Sequence, residues 1–233
     1  MTNMLEYIRT ALVVAAHQDD EMLGCGGTLA RLRIAGAKVT ILLLGEGPTS
    51  RVTDETFLEP VRREAFDSSI AAAAVLDIRD VHCVGLPDNQ FDTVPLLHIV
   101  QHIETIAARV QPDLVLTHFA GDLNLDHQLT CRAVVTAFRP LPGCKPVQIL
   151  GFEVLSSTEY APPGMGASFH PTAYVDITAF LEAKHRALAA YASEMLPWPH
   201  PRSREAVEHL ARLRGSQCGL EAAEAFVLYR GIF

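Results

Sequence analysis

Five consecutive residues, His17-Gln18-Asp19-Asp20-Glu21, bring one imidazole and three carboxylates together, and Gly24, Gly26 and Gly27 follow closely. An imidazole beside a carboxylate suits zinc. His17 and Asp20 stand three apart, close enough at a turn to grip one ion. Asp19, between them, does not easily point the same way, which leaves it free to act as a base. A third ligand is available in Gly121-Asp122-Leu123-Asn124-Leu125-Asp126-His127. With His127, the set is two histidines and one aspartate, which leaves a zinc position open for water, as in a catalytic site. Two simpler readings compete. Carboxylates that cap a helix and complement its dipole would account for one acid, but not for His17 beside three of them. The glycines faintly resemble a dinucleotide-binding turn. That pattern requires glycine where Leu29 stands, and a pyrophosphate there would face three carboxylates.

The elements that must position these groups are legible. Residues 11–16 form a short apolar run rich in β-branched side chains, as expected of a buried parallel strand. The charged pentad sits at its tip, where charge is costly unless paired or bound to metal. A helix is expected over residues 28–35. Residues 113–118 read as a second buried strand, followed by a helix over 128–138, so His127 also lies at a strand-to-helix turn. In a doubly wound sheet of order 3-2-1-4-5 these two strands are neighbours at the switch point and their loops converge, bringing His127 to His17 and Asp20. The remaining strands are predicted at 38–44, 81–85, 147–154 and 172–177, with 225–229 as an edge strand. Further helices are predicted over 59–76, 94–110 and 179–195, the last capped by Thr178, and from about Ser203. The expected fold is α/β, a Rossmann-like three-layer arrangement with a mostly parallel sheet plus carboxy-terminal helices, forming one domain over residues 1–233.

The two motifs resemble those of the LmbE-like or PIG-L family of zinc-dependent N-deacetylases. The family carries A-H-P-D-D-E-x-x-x-G-x-G-G. This chain has Ala16-His17-Gln18-Asp19-Asp20-Glu21 and then Gly24, Gly26 and Gly27, with Gln18 replacing proline. The family's second motif ends H-P-D-H, where this chain has Asn124-Leu125-Asp126-His127. The resemblance implies one Zn2+ per chain held by His17, Asp20 and His127, with Asp19 as general base. It also implies removal of an N-acetyl group from a GlcNAc-type amino sugar. Asn124 stands where the family usually has a histidine. An asparagine can donate to an oxyanion but cannot transfer a proton at neutral pH. His118, at the tip of the second strand, and Asp19, once protonated, are both candidates to protonate the leaving amine.

Three further positions are candidates to meet a substrate, and of these Asp88 follows a strand end on the same edge as the metal. Arg51 in the loop 45–56 is either a solvated arginine or a bidentate donor to a substrate oxygen or phosphate. Asp88, in Leu86-Pro87-Asp88-Asn89, is a turn carboxylate or a holder of a sugar hydroxyl. Arg202 belongs with His200, Arg204 and Arg214 to a local basic cluster that could read an anionic group, although Glu208-to-Arg212 and Arg204-to-Glu208 spacing also fits a salt-bridged surface helix. The irregular stretch 160–169 is a lid or plain slack. His98 and His102 share a helix face but read as solvated. With 233 residues, 49% hydrophobic composition and net charge −8, one large core is expected and sequence-independent nucleic-acid binding is not. No run approaches a membrane span, and Glu6 and Arg9 interrupt the amino-terminal stretch, which argues against a signal peptide. Five cysteines without C-x-x-C spacing read as reduced thiols, mostly in the core, so a cytoplasmic protein is expected. The expected partner is a small N-acetylated sugar or sugar conjugate, with a homo-oligomer left open. The alternatives are a zinc amidase acting on a non-sugar or thiol-conjugate amide, and a non-catalytic ligand-binding protein on the same fold.

Overall fold

The first strand, β1 (Thr10–Ala15), is apolar along nearly its whole length because both its faces are covered. Ala11, Val13 and Ala15 pack into one apolar cluster, Leu12 and Val14 into another on the opposite face. The structure, a computed structural model, describes residues 4–164 and 166–232. Residues 1–3 of the amino-terminal stretch and Met165 of the 160–169 loop lie outside these.

Six more strands flank β1: β2 (Lys38–Gly45), β3 (Asp80–Leu86), β4 (Leu114–His118), β5 (Gln148–Phe152), β6 (Ala173–Asp176) and β7 (Ala223–Arg230). They form one sheet of order β3-β2-β1-β4-β5-β7-β6. The first five are parallel, in the predicted order, and β7 runs antiparallel to both β5 and β6. Helices α1 (Asp20–Ile34), α2 (Leu58–Val75), α5 (Leu181–Leu188) and α6 (Arg204–Ser216) cover one face, and α3 (Leu96–Val110) and α4 (Leu125–Ala137) the other. The fold is the expected Rossmann-like one. Because α1 and α4 leave β1 and β4 toward opposite faces, a crevice opens between those two strand tips. Among the described residues no helix is long and apolar enough to cross a membrane.

Several expectations need correction. The carboxy-terminal strand is not at the edge: β7 lies inside the sheet and β6 is the edge. The helix predicted over 179–195 ends at Leu188, and Thr178 does not cap it. The chain turns there so that Tyr191 enters the core, where its hydroxyl donates to buried Glu21. Arg204 pairs with Glu182 rather than Glu208, which takes Arg212. Only Cys25 and Cys131 of the five free cysteines are buried. His98 and His102 are exposed, as expected.

Helix α1 starts at Asp20, eight residues before the predicted start, and is broken at Cys25, whose φ is −146° and ψ 16°. A buried ion pair closes both sides of the break. Glu224 on β7 accepts from the amides of Gly27 (2.9 Å) and Thr28 (2.7 Å), while Lys184 on α5 donates to Glu224 (2.6 Å) and to the Leu23 carbonyl (2.7 Å). Two amides at the break thus meet a carboxylate and one carbonyl meets an ammonium.

At Gly24 the need for glycine is steric. A Cβ there would lie 2.2 Å from Cδ2 of fully buried Phe152. Phe152 cannot retreat, because its ring packs against His118 (centroids 4.8 Å apart). Gly24→Ala is expected to cost about 1–3 kcal/mol as an overpacked core substitution, read as a lower urea midpoint at unchanged slope.

Candidate metal centre

At the crevice, His17 follows β1 and His127 lies in the first turn of α4. His17 Nδ1, His127 Nε2 and Asp20 Oδ2 form a nearly equilateral triangle, with sides of 3.3 Å between the imidazoles, 3.4 Å from His17 to Asp20 and 3.3 Å from His127 to Asp20. Four donors set tetrahedrally about 2.0–2.1 Å from one ion lie about 3.3–3.4 Å apart. The spacing of the triangle therefore matches that of three donors to one zinc-like ion. Asp20 Oδ1 is buried and has no hydrogen-bond partner.

The second nitrogen of each imidazole is held by a carboxylate. His17 Nε2 lies 3.0 Å from Asp126 Oδ2, and His127 Nδ1 lies 3.2 Å from Asp122 Oδ1. Such partners fix the tautomer and aim the free lone pair. Asp122 also accepts from the Ser157 hydroxyl, from Thr158 Oγ1 (2.5 Å) and from the Asn124 amide (2.9 Å), which ties the loop after β5 to the loop after β4. Neither Asp122 nor Asp126 was singled out from sequence. The available signal was two further acids just ahead of His127.

Electrostatics favour a cation here. Burial opposes charge on both imidazoles, yet Asp126 and Asp20 push the His17 pKa up to about 10, and Asp20 with Asp122 pushes that of His127 up to about 9. Burial would raise Asp20, but His127 beside it holds it well below the carboxylate range. The carboxylates thus hold positive charge in a buried place, and a divalent ion would meet the same field.

Asp19 is buried, adopts a left-handed backbone with φ 99° and contributes no atom to the triangle. Its amide donates to Glu21 Oε2 (3.2 Å). Burial pushes Glu21 up to about 7, against the Tyr191 hydroxyl bond. Burial likewise raises the Asp19 carboxyl, and Arg202, whose Nη1 lies 2.9 Å from Asp19 Oδ2, works against that shift. Arg202 is spoken for elsewhere too, by Glu194 (2.8 Å) and by Ser156 Oγ (2.8 Å). The basic cluster expected around it is dispersed, since Arg204 goes to Glu182 and Arg214 to Glu153.

A cavity of about 700 Å³ opens above this floor, a size ordinary for small-molecule sites. His17, Asp19, His127, Asn124, Asp88, Arg51 and Arg202 all line it. Asp20 lies beneath them, fully buried. Arg51 is exposed at the rim. Asp88 is buried, accepts from the Ser50 amide (3.0 Å) and lies 3.5 Å from His17 Nε2. His118 is set apart from this group. It is fully buried, it stacks on His127 (3.9 Å between centroids), and its Nε2 accepts the Ala16 amide (2.8 Å). Burial keeps its pKa well below the usual histidine value. His118 is not among the residues that line the cavity, and its Nε2 is occupied by backbone. It serves as the floor beneath His127.

Comparison with known proteins identifies the family and the fold. The chain is 21% identical over 231 residues to the diacetylchitobiose deacetylase of Thermococcus kodakarensis, covering 97% of this chain and 85% of that one. It is 26% identical over 253 residues to the 4-oxalmesaconate hydratase of Pseudomonas putida, covering 99% and 90%. The solved N,N'-diacetylchitobiose deacetylase of Pyrococcus horikoshii superposes with a TM-score of 0.78 at 20% identity, covering 97% of this chain and 86% of that one. The family model described as PIG-L, GlcNAc-PI de-N-acetylase, matches residues 12–138, more than half of the sequence, and on that match the chain belongs to the PIG-L family.

Proposed function

We propose that the protein is a zinc-dependent N-deacetylase that hydrolyses the acetamide of an N-acetylated amino sugar or sugar conjugate to acetate and a free amine. The observation that carries this reading is the His17–Asp20–His127 triangle with a separate, buried carboxylate, Asp19, beside it on the floor of a polar cavity. The family and the diacetylchitobiose deacetylase relative support the amino-sugar part.

A zinc ion held by the triangle would supply Lewis-acid activation of water and of the amide carbonyl. The chain's own groups then divide the remaining work. Asp19 takes a proton from the attacking water as oxygen bonds to the amide carbon. Asn124 Nδ2 donates to the carbonyl oxygen as negative charge gathers there. With Asn124 unable to transfer a proton and His118 walled off, the protonated Asp19 returns its proton to the nitrogen as the C–N bond breaks. Arg202 holds the Asp19 carboxylate in place, and Asp126 and Asp122 hold the two imidazoles.

The test is acetate release by zinc-loaded protein from N-acetylglucosamine, N,N'-diacetylchitobiose and a sugar nucleotide carrying N-acetylglucosamine, before and after chelation. Turnover that disappears with chelator and returns with zinc is expected, whereas turnover indifferent to metal refutes the reading. The full-length likeness to a hydratase favours a second reading, because water activated beside a base can also add across a double bond. Consumption of 4-oxalmesaconate without acetate release from any amide would select it.

A further inference from the structure

Asn124 is the N-cap of α4, and its side chain accepts the Asp126 amide at 2.8 Å. A backbone N–H can only donate, so the oxygen of the Asn124 amide must be the atom that faces it. That fixes the nitrogen at the other end of the planar group. Asn124 Nδ2 lies 3.2 Å from Asn89 Oδ1. Asn89 must therefore present its own oxygen to Asn124, and its Nδ2 lies 3.0 Å from Asp88 Oδ1 and 3.4 Å from Ser50 Oγ. Asp88 is 5% exposed, and its second oxygen accepts the Ser50 amide. A carboxylate there can only accept. The chain of bonds consequently runs one way, from the Asp126 amide through Asn124 and Asn89 to Asp88. Each asparagine is anchored at both ends, and neither can flip without setting like against like.

The primary amide of Asn124 carries two N–H bonds. Asn89 takes one, and no described residue takes the other. Asn124 lines the cavity beside His17 and His127, so the remaining N–H is available to an oxygen there.

We propose that Asn89 is a positioning residue. It holds the Asn124 amide so that its free N–H is presented to the acyl oxygen of the substrate, and Asp88 sets the direction of the bonds. This rests on the deacetylase reading. One anchor would leave Asn124 a hinge, whereas two leave it no rotation, and a donor aimed before charge develops is what lowers a barrier. The backbone of Asn89 suits the task, because its φ of 54° is a conformation that asparagine tolerates and that glycine also accepts.

That tolerance makes Asn89→Gly a clean test, since the side chain goes without backbone strain. With the best acetamide of the panel above, Asn89→Gly is expected to lower kcat about tenfold with KM within about twofold and zinc content unchanged. Asn124→Ala is expected to lose about a hundredfold. The double variant should be no slower than Asn124→Ala alone, because Asn89 acts through Asn124. Effects that multiply in the double variant overturn the proposal, as does a rise in KM at intact kcat, which would make Asn89 a direct substrate contact. Nitrogen-15 NMR reads the same geometry without turnover. In the zinc-loaded protein the Asn124 side-chain amide pair should move toward free-amide shifts in Asn89→Gly, and an unmoved pair refutes the positioning role. If no acetamide is hydrolysed at all, the deacetylase reading has failed, and the amide resonances alone decide whether Asn89 orients Asn124.

Discussion

Asp20→Ala is expected to purify without zinc and to release no acetate above background. Asp20 Oδ2 is the corner that completes the triangle, 3.4 Å from His17 Nδ1 and 3.3 Å from His127 Nε2, and the only anionic corner of the three. It also accepts the His17 amide at 2.8 Å, which fixes the backbone entering the turn. Without it two imidazoles face each other 3.3 Å apart with no carboxylate among the ligands themselves. His127→Ala should do the same by removing the ligand that comes from the far loop. Asp122→Asn offers a graded comparison. It weakens the hold on His127 Nδ1 without removing a ligand, and loss of such an outer partner usually costs about ten- to a hundredfold in metal affinity. Chelator competition should rank the three variants with Asp122→Asn nearest wild type. Zinc should raise the melting temperature of wild type by mass action and leave that of Asp20→Ala unmoved. A full equivalent of zinc in purified Asp20→Ala would dismantle the proposed centre.

The part of this site legible in the sequence was the part that follows from periodicity and topology. Two apolar runs ending in acids and histidines, placed in the common doubly wound order, were enough to bring His17 and His127 together across 110 positions. What stayed hidden depends on long-range contacts with no local signature. Nothing near Glu224 or Lys184 announces that they close a break in α1, because their partners in it, Gly27 and Leu23, lie 197 and 161 positions away in the sequence. Arg202 looked like a free cation among neighbours of its own kind. Its charge is in fact answered by Asp19 and Glu194, which the fold brings in from elsewhere. The burial of His118 is hidden for the same reason. A histidine at a strand tip looks available until the adjacent strand supplies the Ala16 amide that takes its acceptor nitrogen. The short α5 was misjudged because helix-forming residues continue past Leu188, while burial of Tyr191 against Glu21 outweighs their propensity.

Asp19→Asn is the complementary case, expected to keep its zinc and lose its turnover. The two side chains have nearly the same shape, and asparagine tolerates the left-handed backbone at φ 99°. Asp19 contributes no atom to the triangle of His17, Asp20 and His127, so the metal ligands should be undisturbed. What is lost is the proton acceptor. An amide cannot take a proton from the attacking water or return one to the leaving nitrogen, so both transfers fail together, for a loss of about 10²–10⁴ in kcat. Arg202→Ala is the telling control. It removes the cation beside Asp19 while keeping the carboxylate, and should fall well short of the Asp19→Asn loss. A zinc-free Asp19→Asn protein would exchange the roles assigned to Asp19 and Asp20. A zinc-loaded one with normal turnover would leave the reaction without its base.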